Sequence, residues 1–320
     1  MVQCITIAAT RMSAADTATD TATDTAIDTA TDPRVEPSAK AAADATPPPG
    51  PPPAPIRLKP LAWSDPPRWL ALGWRDFVRH PGIGLFFGLC FTGMGWALLK
   101  VFQEAPAWTL ALSAGFLLMG PFICMGLYQV SRRLERGERP DFGDALTAWD
   151  EHTAQMAIFG FVLLVLEMLW GRASLVVFAV SFDGMPDFKG SLLALLNPEN
   201  IGFIVAYVGV GALFAGLIFA VSVISIPMML DRRVDAITAG LTSLRLVLTQ
   251  PGVMLWWGAL LVIAVVAALL PWFLGLLVVG PVLGHASWHA YRGSVEPPES
   301  ADELPGSAVR PDPSLPGSTA

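Results

Sequence analysis

Residues 251–291 read PGVMLWWGALLVIAVVAALLPWFLGLLVVGPVLGHASWHAY, and the fold turns on how often this run crosses a membrane. At about 1.5 Å of rise per residue, about 40 helical residues reach roughly 60 Å, twice a hydrocarbon core of about 30 Å. One crossing leaves half of the run without a place. Two crossings need a turn in the middle, and Pro271, set between AALL and Trp272, is the residue to make it, because proline has no amide hydrogen to give a helix interior. The run is therefore expected to be a pair of spans.

The same measure applied outward finds four more. Residues 82–101 fit one crossing and 108–130 a second, with QEAPA as a tight turn between them; 156–180 and 201–230 fit a third and a fourth. Six spans suit the composition: of 320 residues 53% are hydrophobic and only 15% charged, and mean hydropathy is +0.53. A soluble domain of this length needs more charge to cover its surface. Cys4, Cys90 and Cys124 have no CxxC spacing and suggest neither a disulfide framework nor a zinc site. The first long apolar run starts beyond residue 80, so no signal peptide is expected.

Outside the spans the chain changes character. Residues 1–56 join the degenerate repeat TATDTATDTAIDTATD to the spacer PPPGPPPAP, and such a composition is expected to stay disordered. Met12 is a second candidate start within this tail. Residues 294–320 are again Pro-rich, acidic and expected to be disordered, which leaves 57–293 as the membrane domain. The net charge of −7 hides an asymmetry, since acids dominate the tails and bases the loops. Arg68, Arg75 and Arg79 precede the first span; Arg132, Arg133, Arg136 and Arg139 follow the second. Arg232, Arg233 and Arg245 follow the fourth, and Arg292 the sixth. On the other side only Lys189 lies clear of a span. Basic loops stay inside, so both termini are expected in the cytoplasm.

The spans fall into an internal repeat. FVRHPGIGLFFGL (77–89) aligns with LVLTQPGVMLWWGAL (246–260), while the middle unit, LTAWDEHTAQMAIFGFVLL, lacks the Pro-Gly step. WLALGWRDFVRH and VDAITAGLTSLRLVL carry apolar residues at helical spacing with charges mainly opposite, as helices lying on a membrane surface do. SLLALL (191–196) is a looser case on the outer side. The expected fold is thus all-α: a polytopic membrane protein with six transmembrane helices as three hairpins, each preceded by a cytoplasmic amphipathic helix.

The order of WL-x-x-G-x-x-D (69–76), the basic loop SRRLERGERP and the closing GHASWHAYR resembles a bacterial family of integral membrane proteins known only as a domain of unknown function. The likeness covers residues 57–293, and the closing motif is its most specific part. It implies a six-helix inner-membrane protein of proteobacterial type. It implies no activity and brings no site residues.

Candidate chemistry is sparse. His285 and His289 lie four apart on one helix face, and with His80 and His152 they fall at one expected level of the membrane. Imidazole is the commonest transition-metal ligand, so a shared metal or haem site is one reading. No HExxH, cysteine pair or run of carboxylates accompanies the four, and Trp288, Tyr291 and Arg292 beside them are what an interfacial anchor looks like. Helix-end anchoring is favoured.

Glu167 is about 12 residues into the third span, roughly 18 Å deep. A carboxylate there must be protonated, paired or wet, and reads either as a proton or cation relay or as a neutral carboxyl bonded to a neighbouring helix, with Ser222 or Ser225 as partner. Arg172, about 140° further round the helix, snorkels outward instead. A transport chain needs more than one such group, so the structural reading leads.

The glycines of GIGLFFG and VGVGALFAG let helices approach closely. Pro121, Pro227 and Pro281 kink the inner halves of even-numbered spans. The arginine loop suits anionic lipid head groups but is too sparse for nucleic acid. No Walker, GxSxG or dinucleotide motif is present. The expectation is a non-enzymatic inner-membrane component without a cofactor, touching lipid and a partner membrane protein. A small-solute or proton-coupled transporter centred on Glu167 and a metal- or haem-binding redox subunit are its rivals.

Overall fold

The computed structural model describes residues 56–105, 108–181, 201–232 and 234–297. The two tails, the 183–189 loop with Lys189, and the outer segment at 191–196 lie outside the described residues, or all but a few residues of them do. What is described is all-helical apart from one isolated β-bridge. The helices are α1 (Asp65–Arg79), α2 (Pro81–Glu104), α3 (Thr109–Glu135), α4 (Phe142–Thr147), α5 (Thr153–Ser181), α6 (Ile201–Ser222), α7 (Ser225–Asp231), α8 (Ala236–Thr249), α9 (Pro251–Leu269) and α10 (Leu276–Ser294), with a 3-10 turn at Asp150–His152 before α5.

The aligned Pro-Gly steps produce the same joint twice. His80, before Pro81, has φ −135° and ψ 63°; Gln250, before Pro251, has φ −132° and ψ 54°. A proline ring crowds the residue before it out of the helical region, then supplies the fixed φ that suits the first turn of the next helix. Amphipathic α1 and α8 therefore break sharply into α2 and α9. The run at 251–291 also turns where expected, α9 ending at Leu269 and α10 beginning at Leu276. Trp272 and Phe273 take positive φ there (53° and 65°), and the Trp272 carbonyl accepts from Trp96 Nε1 at 2.8 Å.

Among the described residues, four helical stretches are long and apolar enough to cross a membrane: Pro81–Glu104, Thr153–Ser181, Ile201–Asp231 and Pro251–Leu269. The remaining two of the six expected spans are present as helices, α3 with 27 residues and α10 with 19, and the second half of α10 carries His285, His289, Tyr291 and Arg292. Lipid tails are as apolar as leucine, so nothing drives a wholly apolar helix inward. Val176, Val205, Val208, Leu213, Val262 and Ile263 accordingly stay exposed on α5, α6 and α9. Helix α10 lies inside, where its polar groups find partners on α1, α3 and α7. Helix α10 packs chiefly on α1 and α2, then on α3 and α9.

Close approach of α10 needs glycine at two places. A Cβ on Gly73 of α1 would meet the Val282 carbonyl oxygen at 2.5 Å and the Ala286 amide at 2.7 Å, and one on Gly88 of α2 would overlap the Leu277 carbonyl. The main core sits at the end where α1, α7, α8 and the last turns of α10 converge. Trp69 and Trp257 meet edge to face there, with ring centroids 5.5 Å apart, among Met125, Met228, Met229 and Met254.

The two ends of the helical body are laced together. Leu58 and Val295 form the antiparallel bridge, Lys59 N donates to Ser294 O (2.9 Å) and Glu296 N to Arg57 O (3.0 Å). Gln250, at the α8–α9 joint, holds the same strand by donating to Lys59 O (2.8 Å) and accepting from Leu61 N (2.6 Å).

Candidate functional site

The closing motif GHASWHAYRG forms the last turns of α10, and α1 and α3 bring acids and a hydroxyl against it. Asp76 of α1, Ser131 of α3 and His285 of α10 are buried, at 1%, 0% and 1% exposure. Ser131 Oγ lies 3.0 Å from Asp76 Oδ2 and 2.8 Å from His285 Nδ1, and His289 Nε2 lies 2.7 Å from the same Asp76 oxygen. A hydroxyl has one proton to give. Ser131 gives it to Asp76, so His285 Nδ1 donates to the serine oxygen, and Ser131 and His289 converge on one carboxylate oxygen. Burial pushes the Asp76 carboxyl up, but the hydrogen bond and charge of His289 and the Ser131 hydroxyl outweigh it and hold it below its ordinary 3.8.

These are the residue types of an acyl-transfer triad in a different order. A triad needs histidine between serine and acid, with the serine oxygen open to substrate. Here Asp76 stands between His289 and Ser131, and Ser131 is closed off. The arrangement ties three helices together and leaves no nucleophile presented.

A second layer lies one turn on. Trp288 Nε1 donates to Glu135 (3.1 Å), and Arg292 pairs with both Glu135 (2.9 Å) and Asp231 (3.4 Å). The Tyr291 hydroxyl donates to Asp231 Oδ2 at 2.8 Å and accepts from Arg232 Nε at 3.0 Å; Arg232 also reaches the Glu296 carbonyl. Trp288 and Tyr291, expected at a lipid interface, are placed inside the protein at 1% and 0% exposure, while Arg292 is partly open. The rings and charges of the motif bind helix to helix.

The structure divides the four histidines. His285 and His289 share the Asp76 cluster, His80 occupies the α1–α2 joint, and His152 lies in the turn before α5 beside a different pocket. Among the described residues no three His, Cys, Asp or Glu side chains converge as a metal ion would require.

Glu167 has a partner, and it is neither serine expected. Ser113 of α3 donates to Glu167 Oε1 at 3.0 Å. Ser222 instead turns to the Ile218 carbonyl of its own helix, and Ser225, at the start of α7, to the Val221 carbonyl of α6, the usual outlet for a serine hydroxyl in a membrane helix. Arg172 is exposed and makes no ion pair with Glu167. The carboxyl edges a cleft of ≈ 220 Å³ whose other walls are Trp170 of α5 and Gly211, Phe214, Ala215 and Ile218 of α6.

Asp76 and Ser131 were the residues missed as a site. Asp76 had a signal, as the acid of WL-x-x-G-x-x-D on an otherwise apolar helix face; Ser131, lost in a basic loop motif, had none.

No curated protein and no solved structure matches the chain. Residues 109–231, from the start of α3 to the end of α7, match the family described as "Predicted integral membrane protein (DUF2189)", and over that stretch the chain is similar to that family.

Proposed function

We propose that this protein is a structural component of the bacterial inner membrane that spans it six times, holds phospholipid and a partner membrane protein, and catalyses no reaction. The observation that carries the reading is the burial of Asp76, Ser131 and His285. The groups best able to do chemistry are engaged with one another in holding α1, α3 and α10 together. Such closed networks rigidify a fold. The bridge between Leu58 and Val295 supports an even number of crossings, since it brings both ends of the helical body to one side, and the arginine-rich loops support the cytoplasm as that side. Extraction in a mild detergent tests the reading through what stays bound. Retained phospholipid and a stoichiometric membrane partner are expected. A Soret band or bound metal, or turnover of any substrate, counts against it.

One observation favours a second reading, a proton-coupled or small-solute transporter. Glu167 borders a cleft between two lipid-facing helices rather than a sealed core, and ionisable groups at such depth commonly mark transport paths. Proton flux into liposomes that depends on Glu167 would favour it.

A further inference from the structure

Where α3 ends, the chain folds back through α4 and the 3-10 turn into α5 and encloses a pocket of ≈ 400 Å³, within the range of about 300–1,000 Å³ that small-molecule sites occupy. Gln129, Arg132, Arg133, Asp144, Asp150 and His152 supply its polar lining. Their pairing is uneven. Arg133 is engaged, by an ion pair to Asp144 and a second to Glu138 at 4.0 Å. Arg132 is held more loosely. Its buried Nε has no hydrogen-bond partner and makes only a long ion pair, 3.8 Å, to Asp231, and its one side-chain hydrogen bond is 3.5 Å to Gln129 Oε1. A guanidinium offers five N–H donors, so donors remain beyond these two contacts. The buried Nδ1 of His152 also lacks a partner. Asp150, also in the lining, is exposed and makes no ion pair with a described residue.

Three exposed apolar side chains are chain neighbours of the lining residues Asp144, Thr147, Ala148 and Asp150. Phe142, Leu146 and Trp149, spaced four and three apart, are 41%, 39% and 38% exposed. Phe142 packs edge to face on Phe86 of α2 (4.9 Å) and Trp149 on Phe122 of α3 (5.9 Å), so this surface continues onto the flanks of two helices of the bundle. A polar pocket opening beside an apolar helix face is the shape of an amphiphile's site, with head group in the pocket and chains along the face.

We propose that this pocket binds the head group of a zwitterionic phospholipid, with phosphate on Arg132 and His152 and a tethered ammonium on Asp150. The proposal rests on the lipid-holding reading above and names the lipid. Two carboxylates in the lining disfavour a purely anionic head; a loosely paired guanidinium and an unpaired carboxylate in one pocket suit a head that carries both charges. Phosphate bonded to a guanidinium is among the stronger hydrogen-bonded pairs.

The test is thermal stabilisation of the full chain in mild detergent by three probes: short-chain phosphatidylethanolamine, phosphatidylglycerol with the same chains, and free phosphoethanolamine. Phosphatidylethanolamine should stabilise most and the chain-free head group least. Arg132→Gln should weaken that binding by about ten- to a hundredfold, the worth of a hydrogen bond to a charged group. Asp150→Asn should abolish the preference between the two lipids and leave the melting of lipid-free protein unchanged. An unchanged preference in Asp150→Asn, or equal binding of both lipids to the wild type, overturns the ammonium assignment. Free phosphoethanolamine binding as tightly as the lipid overturns the lipid source. Stabilisation that neither variant alters puts the lipid elsewhere and sinks the pocket while the lipid-holding reading stands; no stabilisation by any lipid sinks both. Should Arg132→Gln melt too low to measure, Asp150→Asn, at an exposed residue, carries the test.

Discussion

The imidazole Nε2 of His289 lies 2.7 Å from Oδ2 of Asp76, a contact between residues 213 apart in sequence. It joins the first helix of the bundle to the last. Removing one member of a buried pair leaves the other uncompensated, which costs about 3–5 kcal/mol. Asp76→Leu should destabilise on that scale in detergent melting, and a change below about 1 kcal/mol would show the contact to be incidental.

The same residue sets an acid limb. Because the folded protein holds the Asp76 carboxyl below its ordinary 3.8, its contribution is full above the unfolded value and is lost as pH falls through the folded one. Melting temperature followed downward from pH 5 should drop through this window in the wild type. Asp76→Asn should start lower and show a shallower acid limb; parallel curves would rule Asp76 out as the source.

Glu167 and Ser113 make an intramembrane hydrogen bond of 3.0 Å. Glu167→Gln should keep it and melt within about 0.5 kcal/mol of wild type, while Glu167→Leu and Ser113→Ala should each cost about 1 kcal/mol, the scale of such bonds. A double-mutant cycle should return a coupling of about 0.6 kcal/mol. Proton flux in liposomes, measured on the same variants, should be absent from all. Flux in the wild type that Glu167→Gln removes would instead establish the transport reading.

Two glycines of α2 should behave differently. Ala at Gly88 puts a methyl group into the Leu277 backbone and should cost about 1–3 kcal/mol. Ala at Gly93 meets nothing within 4 Å and should stay within about 0.5 kcal/mol of wild type. Equal melting of the two variants would mean that α10 does not approach α2 as described.

Topology is open to labelling. Trp272, 75% exposed in the α9–α10 turn, should as Trp272→Cys react with an impermeant reagent from outside, and cysteines placed at 183–189 should do the same. Tags on either terminus should be reached only from the cytoplasm. A terminus labelled from outside ends the six-span proposal.

What sequence could and could not show follows from the range of the interactions. The Pro81, Pro251 and Pro271 joints are steric events among a few consecutive residues, so they were legible, as were the long apolar helices. The site was not. His285, Trp288 and Tyr291 have the composition of an interfacial belt and also of a polar interior, and what separates the two is whether Asp76, Ser131, Glu135 and Asp231 arrive from other helices. Helical periodicity says nothing of arrivals from 60 to 200 residues away. Glu167 was legible as an unusual charge, but its partner was sought on α6 because nothing in one sequence tells which helix lies alongside. Polar α10 illustrates the wider point: its composition weakens it as a membrane segment and is also the reason it is central.

The lacing of residues 57–59 onto 294–296 also bears on biosynthesis. Lys59 and Arg292, which meet through the lysine ammonium, are 233 residues apart, and at about 5–20 residues per second a ribosome needs roughly 10–50 s to make the second after the first. During that wait α1 has been made and its chief partner, α10, has not. A nascent chain that stalls before Leu276 has no His285 or His289 to complete the Asp76 cluster and no Ala286 backbone to pack on Gly73, so the first helix takes its final place only when the last is made.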